Sequence, residues 1–64
     1  MNNNNTPVRT LSTLSEDGTP LRFTFQILDG VAYWRCFVDG RLEETSEGAD
    51  ARRDWARAKD ACRN

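Results

Sequence analysis

The stretch Leu21-Arg22-Phe23-Thr24-Phe25-Gln26-Ile27-Leu28-Asp29-Gly30-Val31-Ala32-Tyr33-Trp34-Arg35-Cys36-Phe37-Val38 decides the fold, because it contains two alternating runs separated by a two-residue turn signal. With Asp29 and Gly30 as the loop of a hairpin, Ile27 pairs with Ala32, Phe25 with Trp34, Phe23 with Cys36 and Leu21 with Val38. These residues then share one face, which is a core. The opposite face carries Arg22, Thr24, Gln26, Leu28, Val31, Tyr33, Arg35 and Phe37. Guanidinium, amide and aromatic groups mixed in this way are more than a purely solvated surface requires.

Toward the N-terminus, Glu16-Asp17-Gly18-Thr19 reads as a turn. Pro20 has no N–H to donate and belongs at the first position of the strand that follows. Before the turn, Val8 to Leu14 has high strand propensity but irregular alternation, which predicts an edge strand of unspecified register. Residues 1–6, with four successive Asn, form a polar tail with nothing to bury and are expected to be disordered. Residues 7–64 make up a single domain.

Toward the C-terminus, Asp39-Gly40 repeats the turn signal ahead of a short fourth segment, Arg41 to Thr45. A two-residue loop there would send Arg41 and Glu43 to the core side. A three-residue loop, Val38-Asp39-Gly40, with Gly40 left-handed in a bulge, instead pairs Leu42 with Cys36 and sets Glu43 beside Arg35. Ser46 is then the N-cap of a helix, with Glu47 and Asp50 in the first turn and Lys59 and Arg63 near the far end, an order that suits the helix dipole. From Ala49 onward, Ala51, Trp55, Ala58 and Cys62 recur at helical spacing with Ala61 beside them. This stripe of small residues lets the helix approach a sheet closely, with Trp55 inserted among Phe23, Phe25 and Trp34. The fold class is therefore α+β: a small antiparallel sheet of three main strands plus a short fourth, and one C-terminal helix on one face.

Composition narrows the function. The chain of 64 residues has a thin core, so oligomerisation or a bound partner adds stability where it occurs. Nine basic residues against ten acidic give a net charge of −1, which offers no global attraction to nucleic acid or to anionic membranes. Eight of the nine cations are Arg, suited to bidentate contacts with carboxylate or phosphate. No His is present to act as a general base near neutral pH or as a metal ligand, and each Gly stands apart from the others, so no phosphate-cradling loop exists. Asp50 and Asp54 each precede an Arg by three residues, Arg53 and Arg57, which reads as a solvated ion-pair ladder. These observations point away from catalysis, a cofactor, a metal or a small-molecule substrate. Without a signal segment or a membrane span, and with two cysteines, Cys36 and Cys62, read as core positions, the expected compartment is the cytoplasm.

What remains is a binding surface on the outer sheet face: Arg22, Gln26, Tyr33, Arg35 and Phe37, with Leu28 beside them. The expected partner is a protein or a second copy of the chain, with Tyr33 and Phe37 as anchors and the two Arg setting orientation. Over roughly residues 8–62, the order of three strands and a helix, with Arg22, Tyr33 and Arg35 facing away from that helix, resembles the AP2-type and phage-integrase arm-binding DNA domains. The resemblance is one of topology, without a matched motif. It implies a sheet face entering the major groove, with Arg22 and Arg35 reaching bases or phosphates and Thr24 and Gln26 as polar readers. Those families carry several basic residues on the reading strands; here Arg22, Arg35 and Arg41 stand near Glu43 and Glu44.

Overall fold

Asp29 and Asp39 both adopt φ near 52°, each followed by a glycine with φ of 79° or 84°, so both hairpins close through two consecutive left-handed residues. This turn follows the natural twist of the strands it joins, which explains why Asp-Gly occurs twice. The computed structural model describes residues 5–63. Strands β1 (Arg9–Leu14), β2 (Pro20–Leu28), β3 (Val31–Val38) and β4 (Arg41–Glu47) precede a single helix, α1 (Ala49–Ala61). They form one antiparallel sheet in the order β1-β2-β3-β4, with α1 against one face.

The β2–β3 register is the one expected from alternation, with Phe25 opposite Trp34 and Phe23 opposite Cys36. Phe23, Phe25, Ala32, Trp34, Ala51, Trp55 and Ala58 form the buried core, and Leu11, Leu21, Ile27, Cys36 and Cys62 pack around it. Trp55 stacks on Phe25 with ring centroids 5.3 Å apart, while Trp34 stacks on Phe23 at 6.2 Å. Ala51 and Ala58, one turn either side of Trp55, bring the helix backbone close enough for that contact. Among the described residues, neither buried indole N–H has an acceptor. Cys36 and Cys62 are free thiols, both half-buried. Burial, and then the charges of Glu44 and Glu43, push the Cys36 thiol above its ordinary range, which keeps it protonated.

Three expectations need correction around β4. The loop is Asp39-Gly40 alone, since Val38 pairs with Arg41, and the irregularity comes later: Phe37 faces Leu42 while Cys36 faces Glu44, leaving Glu43 as the extra residue of a bulge. Leu42 is therefore on the outer face and 53% exposed, and Thr45, not Glu43, lies opposite Arg35. The three-residue loop assumed that the inner face is core along its whole length. A 13-residue helix spans only about 20 Å, against about 26 Å for β3, so the turn end of the sheet is uncovered and Arg41 sits there in water.

Ser46 is likewise not the N-cap. It remains in β4, opposite Trp34, and its hydroxyl donates to Asp54 at 2.8 Å, tying the strand to the helix. Gly48 caps α1 instead, with φ 68° and ψ −138° and no side-chain bond to the first turn. Its N–H donates to Ala32 C=O at 2.8 Å, so the chain must reverse sharply while still bonded to the sheet. Glu47 accordingly ends the strand. The bond from Ser46 also removes Asp54 from the expected solvated ladder: Asp50 pairs with Arg53 at 3.4 Å, and Asp54 accepts from Ser46 and lies 3.8 Å from Arg53 in place of Arg57.

Of the tail expected over residues 1–6, residues 1–4 lie outside the described part. Thr6 N–H donates to Ile27 C=O at 2.9 Å, and Asn5 Oδ1 accepts from Asp29 N–H at 2.7 Å, so the chain keeps contact with the end of β2 before β1 begins. Among the described residues, no helix is long and apolar enough to cross a membrane.

Candidate functional site

Strand alternation and register lay out the sheet face opposite α1. One row across it is Ser12, Arg22, Phe37 and Leu42; the next is Thr10, Thr24, Arg35 and Thr45; a third holds Gln26, Tyr33 and Glu47; Leu28 and Val31 close the β2–β3 end. All five predicted site residues, Arg22, Gln26, Tyr33, Arg35 and Phe37, thus lie on one face of two adjacent strands. Among the described residues, no element covers them.

The apolar content of this face exceeds what the central hairpin alone suggests. Among the described residues, the large hydrophobics that remain exposed are Val8, Leu14, Leu28, Val31 and Leu42, at 39–65% of their full accessibility. Alternation puts every one of them on the outer face, Val8 by extension one residue beyond β1. They form two groups, with Leu14, Leu42, Pro20 and Phe37 toward one end and Val8, Leu28, Val31 and Tyr33 toward the other. Between them runs the polar row of Thr10, Thr24, Arg35 and Thr45. The sequence hid Leu42 because its side depends on where the bulge falls. It hid Leu14 and Val8 because the register of β1 depends on its pairing with β2.

Arg22 and Phe37 are cross-strand partners, and the guanidinium carbon lies 4.5 Å from the centre of the Phe37 ring. The contact is worth about 0.5–1 kcal/mol at an exposed site, enough to bias the direction in which the arginine presents its donors. Beside this pair, Ser12, Leu14, Pro20 and Gly40 help to line an open depression of about 380 Å³. Among the described residues, the face carries two cations, Arg22 and Arg35, and one anion, Glu47 next to Tyr33. Arg41 is not with them, since its pairing with Val38 turns it to the helix side.

Fold and surface together define, over the described residues, a four-stranded antiparallel sheet with one helix on its inner side and an uncovered, partly apolar outer side. Comparison of the chain with protein-family models, with curated proteins and with solved structures finds no match to it.

Proposed function

We propose that this chain is a non-catalytic interaction module of the cytoplasm that binds a protein partner through the outer face of its sheet. The observation that carries the reading is the segregation of every exposed large hydrophobic residue among the described residues to that one face, interleaved with Tyr33, Phe37 and an arginine resting on the Phe37 ring. Four strands of about 20–30 Å at about 4.8 Å spacing make a platform of about 500 Å² in projection, on which protruding side chains add further accessible surface toward the roughly 800 Å² that one partner contributes to a standard interface. Tyr33 and Phe37 are the central anchors, Leu14, Leu42, Leu28 and Val31 complete the apolar contact, and Arg22 and Arg35 select acidic groups on the partner. A DNA-binding role on the same face would have Arg22 and Arg35 as its cations, with Glu47 opposing them and Arg41 turned away.

Photo-crosslinking in cells tests the proposal, with the crosslinker placed at Gln26 or, as a control, at Lys59 on the exposed side of α1. The expected result is one discrete adduct from Gln26 that disappears in Tyr33→Asp and Phe37→Asp, with nothing comparable from Lys59. Adducts from Lys59 alone, or Gln26 adducts indifferent to both substitutions, would refute it. Nucleic acid in the Gln26 adduct, with affinity for duplex DNA falling steeply as salt rises, would transfer the face to the DNA reading.

A further inference from the structure

The two edges of the sheet are built differently. β4 is defended by Arg41, Glu43, Glu44 and Glu47 and by its bulge, which are the usual devices against pairing with another chain. β1, Arg-Thr-Leu-Ser-Thr-Leu, has one charge at its first residue, no Pro or Gly, and an unbroken register with β2 over all six positions. The bond from Ser15 N–H to Thr19 C=O at 2.9 Å fixes the phase of that ladder: Arg9, Leu11 and Thr13 direct their backbone groups to β2. Thr10, Ser12 and Leu14 therefore direct theirs to the open edge, and all three residues are exposed.

We infer that β1 is a self-recognition edge, pairing antiparallel with β1 of a second copy about a two-fold axis at Ser12 to make a single eight-stranded sheet. Ser12 then faces Ser12 of the second copy, and Thr10 faces Leu14 in both directions. These three pairs exchange about six backbone hydrogen bonds. Leu11 falls opposite Thr13, and Leu14, 65% exposed in the single chain, gains a cross-strand neighbour. Charge complementarity favours this register. Continued past the strand, it sets Arg9 against Ser15 of the second copy, within reach of Glu16 and of the Asp17 carboxylate, which is already fixed by Ser15 and Thr19. Symmetry makes that contact twice. The pairing is isologous, and a defended β4 terminates the sheet at both ends, so assembly stops at two copies and does not run on into a fibre. This surface is separate from the outer face, and its pairing joins two outer faces into one longer platform.

Sedimentation equilibrium of the intact chain from about 5 to 500 μM, a range that covers weak dimers, tests the inference. Wild type is expected to dimerise within that range. Ser12→Pro removes an outward N–H while leaving the β1–β2 ladder intact and is expected to be monomeric throughout. Ser12→Glu sets two like charges face to face across the axis, next to Arg22 of its own chain, and is expected to be monomeric with an unchanged circular dichroism spectrum; it decides the matter alone if the proline variant fails to fold. Phe37→Ala should dimerise as wild type does. A wild-type chain monomeric at the highest concentration, or a dimer that survives both Ser12 substitutions, would overturn the edge pairing. A dimer lost in Phe37→Ala but kept in Ser12→Pro would overturn it as well and would place self-association on the outer face.

Discussion

Truncating Trp55 tests whether the helix is held to the sheet by one aromatic contact. The side chain is 6% exposed and lies nearly parallel to Phe25, 16° between ring planes at 5.3 Å. The other buried helix positions are Ala51 and Ala58, which contribute closeness but little apolar area. Replacing a buried Trp by Ala costs about 3–5 kcal/mol, and a chain of this length is stable by about 3–10 kcal/mol in total, so Trp55→Ala should remove between a third and all of it. Trp55→Phe separates packing from polarity. It keeps a ring on Phe25 and gives up about 1 kcal/mol of burial, but it also removes an indole N–H that has no acceptor among the described residues, a group whose burial costs about 1–3 kcal/mol. The two effects nearly cancel, and Trp55→Phe should lie within about 1.5 kcal/mol of wild type. Urea unfolding followed by far-ultraviolet circular dichroism and by the fluorescence of Trp34 measures both. A cost below about 1 kcal/mol for Trp55→Ala, or a Phe variant as unstable as the Ala variant, would refute the assignment of the contact as the main anchor.

Two further outcomes follow from local geometry. Gly48→Ala should destabilise the chain by about 1–3 kcal/mol through backbone conformation alone, because an added Cβ meets nothing within 4 Å while φ 68° with ψ −138° is open only to glycine; a melting temperature equal to that of wild type would count against that conformation. Asp17 accepts from the Ser15 hydroxyl, from the Thr19 hydroxyl at 2.8 Å and from the Thr19 N–H at 3.2 Å, and these bonds, Ser15 first, hold its carboxyl below the ordinary value of 3.8. With the folded value depressed, its contribution to stability is present above the ordinary value and is lost as pH falls through the lowered one. An NMR titration should place the Asp17 midpoint below 3.8, and Asp17→Asn should abolish this part of the acid sensitivity; a midpoint at or above 3.8 would contradict the bonding.

Much of the architecture was legible because short-range rules agree. In the central hairpin the turn chemistry at Asp29-Gly30 and the alternation from Leu21 to Val38 demand the same register, so its two faces, and with them all five expected site residues, follow without knowledge of the rest. Around β4 the rules conflict. Asp39-Gly40 favours a tight two-residue turn, while keeping Leu42 inside and Arg41 outside calls for a longer one. The turn wins because the helix stops short of that end of the sheet and leaves Arg41 in water at little cost.

By itself, the sequence determined the element order, the hairpin register, the part of the core that the central hairpin supplies and the Ala51-Trp55-Ala58 stripe on α1, all set by neighbours a few residues apart, whereas Leu42 and Ala61, expected on the core side and on the stripe, are exposed. Only the tertiary structure decided what depends on how far the helix reaches and how it returns. The bulge at Glu43 restores inward phase before Ser46 meets Asp54, and Gly48 supplies a reversal that no other residue type makes easily. The placement of Leu42, Leu14 and Val8 on one apolar face follows from pairings between strands, and residue spacing within a single strand carries no record of its neighbour's register.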